Sequence, residues 1–166
     1  EAGTISYGGS CSSSTSSASA DNNTVTFNTL SEGTYSDCKI SVTDSASNTS
    51  DNLSVSTFII DTTAPTLSEV TAVTTPSSDN TSSYTFYSND SGTITYGGSC
   101  SSSDNSSSVG NNTITFNALA DGTYSNCTIT VTDNASNAST ALSVSTFVID
   151  TTGPTLSEVT VVSTPS

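Results

Sequence analysis

Fifteen carboxylates and four thiols hold nearly all the chemistry this chain can do. Histidine is absent and Lys39 is the single basic residue. Without an imidazole, no Ser or Cys nucleophile can be paired with a His base. A carboxylate pair for glycoside hydrolysis is conceivable in any acidic chain, but there is no tryptophan to line a sugar cleft. The reading is therefore not an enzyme. The thiols are spaced alike, Cys11 to Cys38 and Cys100 to Cys127. Four cysteines allow three connectivities, and the matched spacing favours Cys11 with Cys38 and Cys100 with Cys127. A zinc site would call for close CxxC pairs or His. Each disulfide would close a loop of about 28 residues, for roughly 3–4 kcal/mol of stabilisation. Two such bridges place the chain in an oxidising compartment, extracellular or at a cell surface.

Composition narrows the partners. The formal net charge is −14, so nothing neutralises phosphates and nucleic acid is excluded as a partner. An anionic membrane surface would repel the chain, and no apolar run approaches the length of a span, so direct membrane insertion is not expected. Water and cations are the natural company of such a surface. Hydrophobic residues reach 31%, a thin supply for a core. Disorder would fit that figure, but not the regular alternation described next.

The elements that must position these residues come in two copies. Gly3-Thr4-Ile5-Ser6-Tyr7-Gly8-Gly9-Ser10-Cys11 returns as Gly92-Thr93-Ile94-Thr95-Tyr96-Gly97-Gly98-Ser99-Cys100. Aligned without a gap, residues 3–77 and 92–166 share 54 of 75 positions. Self-similarity of this kind marks a modular array. The expected divisions are 1–63, the C-terminal part of a repeat; 64–153, a complete repeat; and 154–166, the first strand of a following one.

Within the complete repeat no stretch has helical periodicity. Short β-rich runs follow one another: 66–73, 83–88, 93–96, 113–116, 123–133 and 141–149. Ile94 and Tyr96, Ile114 and Phe116, and Cys127, Ile129 and Val131 fall on shared faces, with Thr and Ser between them, as in a sheet with one wet side. Gly97-Gly98 and Asp121-Gly122 mark turns. A unit that enters at one end and leaves at the other needs an odd number of antiparallel strands, so a seventh is expected within 99–108. About seven short strands in such a length give an all-β, immunoglobulin-like antiparallel sandwich. Leu119, Gly122 and Tyr124, matched by Leu30, Gly33 and Tyr35, have the spacing of a tyrosine corner.

Asp61-Thr62-Thr63-Ala64-Pro65 ending one unit, Gly122-Thr123-Tyr124-Ser125 inside the next, and Val131-Thr132-Asp133-Asn134-Ala135-Ser136-Asn137 after it resemble bacterial immunoglobulin-like repeats. The resemblance covers essentially the whole chain. It implies tandem stalks of surface adhesins and other giant secreted proteins, in which such a unit is a spacer projecting a binding or anchoring module. The cysteines depart from it, since many such repeats have none. They also do not match the inter-sheet bridge of antibody domains, because no cysteine lies in 83–88.

That strand order sorts the acids by pole. Asp61, Glu32, Asn89, Asp90, Asp133 and Asn137 are expected to converge on one junction between repeats. Asp150 and Asp121 would repeat half of that set at the next junction, and Asp44 with Asn48 at the previous one. Six such oxygen donors suit calcium, and the resemblance, through calcium-stiffened arrays, implies the same cofactor. The competing reading is local: Asp and Asn shape turns by accepting nearby backbone N–H bonds, and no EF-hand spacing is present. A Lys–Asn isopeptide crosslink is not a property of the repeat, because Lys39 is matched by Thr128. Asn-x-Ser/Thr sequons, as at Asn22 and Asn111, signify glycosylation only in a host that reads them.

Two functions compete. One is a stalk whose partners are neighbouring repeats of the same chain or filament. The other is a weak multivalent module for a glycan, ice or a host protein. The copies differ most in 15–21 and 104–110, which makes that loop a poor shared ligand site. In a third arrangement, 154–166 completes a neighbouring molecule by strand addition, building a filament.

Overall fold

Alternating apolar and hydroxyl side chains put the described part of this chain, residues 1–160 of a computed structural model, into fifteen strands and no helix. The chain divides into two compact units, Glu1–Thr63 and Ala64–Ser166.

In the first unit the strands are β1 (Gly3–Gly8), β2 (Ser17–Ala18), β3 (Gly33–Tyr35), β4 (Lys39–Thr43), β5 (Leu53–Ser54) and β6 (Phe58–Ile60). They form a four-stranded sheet in the order β2-β1-β4-β5 and a β3-β6 pair, all antiparallel.

The second unit adds β7 (Leu67–Thr71), β8 (Ser83–Ser88), β9 (Gly92–Gly97), β10 (Ser106–Ser107), β11 (Gly110–Thr115), β12 (Gly122–Tyr124), β13 (Thr128–Thr132), β14 (Leu142–Ser143) and β15 (Phe147–Ile149). The sheets are β10-β9-β13-β14, β11-β8-β7 and the β12-β15 pair. Register explains the alternation. Ile94 lies opposite Val131 and Tyr96 opposite Ile129, while Thr93 faces Thr132 and Thr95 faces Thr130. Partners across a ladder point to the same face, so one face is aliphatic and the other is hydroxyl. The apolar faces meet in a core that includes Tyr84, Phe86, Ile114, Phe116, Ile129, Val131, Phe147 and Ile149, none more than 1% exposed.

The expected seven strands become nine. The strand sought in 99–108 is β10, two residues long. The run 123–133 is two strands, because β12 pairs with β15 while β13 pairs with β9 and β14. The run 141–149 breaks in the same way, with β14 in one sheet and β15 in the other. Both runs switch sheets together, as strands do at the corners of a sandwich. Residues 154–160, where the first strand of a following repeat was expected, take part in no strand, and 161–166 lie outside the described residues.

Both tyrosine corners form. The Tyr124 hydroxyl donates to the Ala120 carbonyl at 2.9 Å, and that of Tyr35 to Ser31 at 2.8 Å. The disulfides join Cys11 to Cys38 and Cys100 to Cys127, each spanning 27 residues. Each ties the end of one strand (β1, β9) to the start of its antiparallel neighbour (β4, β13), so the bridge lies at the rim of one sheet. Gly98 turns the chain there with φ of 74°. A Cβ on it would sit 2.0 Å from the Asn126 carbonyl oxygen, so only glycine fits.

Candidate functional site

The acids of the second unit gather at one end of the β9–β13 pair. Thr93 opposes Thr132, so the turn 88–91 before β9 and the loop 133–137 after β13 lie side by side. Asp90 and Asp133 bring carboxylate oxygens within 4.8 Å of each other, an arrangement that could hold a metal ion. The only basic side chain in the sequence is Lys39, in the other unit. Two like charges this close favour a cation between them.

Asp133 is also the hub of its own loop. Its Oδ1 accepts the N–H groups of Ala135 and Asn137, both at 2.8 Å, and its Oδ2 accepts the Asn137 amide at 2.9 Å. The Asn137 side-chain bond, foremost, holds the carboxyl below the ordinary aspartate value, with burial opposing it. Ser136 takes a positive φ of 73° inside this turn. The first unit builds the same loop. Asp44 accepts Ala46, Asn48 and the Asn48 amide at 2.8, 2.8 and 2.9 Å, and Asn48 leads the causes that lower its pKa. The turn-shaping role of these aspartates is thus fully realised. A carboxylate has about four lone-pair positions, so a bond to a cation remains open to each.

The other expected residues have identified bonds. Asn89 Oδ1 accepts the Thr66 N–H at 2.7 Å, tying the start of the second unit to its 88–91 turn. Asp90 Oδ1 accepts the Ser91 N–H at 2.7 Å. Asp61 and Asp150 each accept an N–H two residues on, from Thr63 at 3.0 Å and Thr152 at 3.1 Å. Glu32 accepts the hydroxyls of Thr62 and Thr63, and Asp121 those of Thr151 and Thr152. Asp121 and Asp133 stand at opposite ends of the run through β12 and β13. The second unit therefore brings together Asn89, Asp90, Asp133 and Asn137, and keeps Asp121 and Asp150 apart from them.

Sequence reasoning passed over Glu69. It crosses from β7 to the loop after β14, accepting the Ser145 N–H at 3.0 Å and the Ser145 hydroxyl at 2.7 Å. Burial raises its pKa, and the hydrogen bonds it accepts, those from Ser145 foremost, together offset that and leave it lowered. The partners are 76 residues apart, too far for any local pattern to reveal.

With this geometry in place, residues 21–95 match the bacterial Ig-like domain (group 3). The match starts before β3, crosses the division between the units and ends inside β9. Residues 21–77 of the chain recur as 110–166 in its internal repeat. A search of curated proteins found no match.

Proposed function

We propose that this chain, whose residues 21–95 are a bacterial Ig-like domain, is a structural spacer: a stretch of stalk from an extracellular bacterial adhesin or surface filament. Bacterial Ig-like domains are typically non-catalytic, and a disulfide in each half suits a secreted or extracellular protein. The observation that carries the reading is duplication of the mechanical parts. Both copies have the same disulfide, the same tyrosine corner and the same Asp-centred loop. A ligand-binding module needs its variable surface kept alike, whereas a link needs its staples kept alike.

Calcium at the junctions belongs to this proposal. Asp90 and Asp133 supply two carboxylates from one unit. Asn89 and Asn137 adjoin that pair in sequence and in their hydrogen-bonded turns. Pro65 stiffens the connection by fixing its own φ. Small-angle scattering of two complete repeats, with millimolar calcium and then with chelator, tests this. A gain in maximum dimension with calcium is the expected result, abolished by Asp133→Ala. An unchanged profile sinks the cation; a flexible profile in both conditions sinks the stalk.

A second reading rests on exposed apolar groups of the first unit. Leu53 and Ile59 are 68% and 69% exposed, whereas their counterparts Leu142 and Val148 are partly covered. Apolar groups left open on sheet strands accept further strands, either from another repeat of the same chain or, in the filament alternative, from a second molecule. Sedimentation equilibrium decides between these: concentration-dependent association supports the filament, and a monomer at all concentrations removes it.

A further inference from the structure

The residues that follow the last described strand of each unit are held by a carboxylate that no turn geometry requires. In the second unit, Asp121 stands just before β12, and Asp150-Thr151-Thr152 follows β15. Asp121 Oδ1 accepts the Thr151 N–H at 2.9 Å and the Thr151 hydroxyl at 2.7 Å; its Oδ2 accepts the Thr152 hydroxyl at 2.8 Å. Asp150 Oδ1 accepts the Thr152 N–H at 3.1 Å. Four bonds to two carboxylates thus hold two residues that lie beyond the last strand. In the first unit Glu32 holds the matching place. One oxygen, Oε2, accepts the Thr63 hydroxyl at 2.5 Å and the Thr62 hydroxyl at 3.2 Å, and Asp61 accepts the Thr63 N–H at 3.0 Å.

We infer that the acid before β3 and β12 is a clasp on the departing chain, fixing the direction in which Asp-Thr-Thr leaves its unit. Three features support it. The acceptor is charged, and charge-assisted bonds are the short, strong ones. The donors are a pair of threonines at adjacent positions in both copies, so hydroxyls and backbone converge on one carboxylate. The copies also differ informatively. Aspartate in one and glutamate in the other change the reach of the side chain, yet the threonine hydroxyls are captured in both. The bonds lower the pKa of both acids, with Thr63 the leading cause at Glu32 and Thr151 at Asp121. The β12-β15 ladder runs only from Gly122–Ile149 to Tyr124–Phe147. The clasp prolongs that hairpin by side-chain bonds where the backbone ladder has ended.

The clasp is independent of the stalk reading and of any cation, since every group in it belongs to a single unit. The test is amide hydrogen exchange and 15N relaxation on the whole chain, comparing the natural sequence with Asp121→Ala and Asp121→Glu. In Asp121→Ala the Thr151 amide is expected to exchange at least about tenfold faster. Residues 151–153 should gain motion on the nanosecond scale, while the amides of β12 and β15 stay unchanged. Asp121→Glu, which copies the first unit, is expected to retain the order of 151–153. Unchanged exchange at Thr151 in Asp121→Ala overturns the clasp. Faster exchange spread through β12 and β15 overturns it too, because Asp121 would then serve the hairpin and not the departing chain.

Discussion

Residues 22–26, Asn-Asn-Thr-Val-Thr, and residues 111–115, Asn-Asn-Thr-Ile-Thr, are almost the same peptide. The second lies within β11, paired along its length with β8; the first is in no strand. The difference is the partner. β11 finds Tyr84, Thr85 and Phe86 across the ladder, whereas among the described residues no strand is paired with 22–26. Burial follows. Phe116 and Phe147 are each 1% exposed, while Phe27 and Phe58, which stack in the same way, are only half-buried. A strand is therefore a property of the pair, whereas the features that survive in the first unit are those closed over short distances: disulfide, tyrosine corner and aspartate-centred loop.

The sharpest way to break this comparison is to truncate the stacked phenylalanine in each unit. Phe116→Ala should cost the second unit about 3–5 kcal/mol, and Phe27→Ala in the first well under that, about 1–2 kcal/mol, since its ring already meets water. Chemical denaturation followed by NMR signals of each unit measures both; equal costs would mean the two cores are equally closed. Next in size is the disulfide. Replacing Cys100 and Cys127 by Ala should cost about 3–4 kcal/mol by loop entropy. The second unit should remain folded on its core, while the matching Cys11 and Cys38 replacement should disorder the first unit, whose buried apolar residues are only Ile5 and the two cysteines. Dispersed NMR signals from residues 1–63 in that variant would refute the claim.

A smaller effect has the opposite sign. Ser107 is buried with no hydrogen-bond partner for its hydroxyl among the described residues, and the first unit has Ala18 at that position. Ser107→Ala should stabilise the second unit by about 1 kcal/mol, because an unpaired buried hydroxyl is a net cost. A loss of stability on denaturation would reveal a partner. Smallest is the acid response of the shared loops. Asp133 and Asp44 both have pKa values below the ordinary 3.8. Their contribution is thus complete above that value and is lost as pH falls through their lowered values. The amide shifts of Ala135 and Ala46 should titrate with midpoints under 3.8, and a midpoint above it in either unit would contradict the bonding described.

Much of this fold was legible because its signals are short-range or repeated. The cysteine spacing named both disulfides, and Leu119, Gly122 and Tyr124 named the corner. Thr93, Ile94, Thr95 and Tyr96 declared their faces by alternation. What was hidden depends on contacts distant in sequence. Nothing in Ser125-Asn126-Cys127 announces a change of sheet, because the change is set by β15 on one side and β9 on the other. The Glu69–Ser145 bond spans 76 residues. The threonines that occupy Glu32 and Asp121 are about thirty residues from them, so an acid that is spent on a hydroxyl reads the same as one available to a cation.

The central claim, that each copy is a disulfide-stapled link built to carry load, is tested most directly by stretching single molecules with the disulfides intact and then reduced. A stapled link should yield in a distinct rupture, and reduction of Cys100–Cys127 should lengthen its extension by about 90 Å, the reach of the 27-residue separation it bridges. Extension without a rupture, or equal lengths in both states, would contradict it.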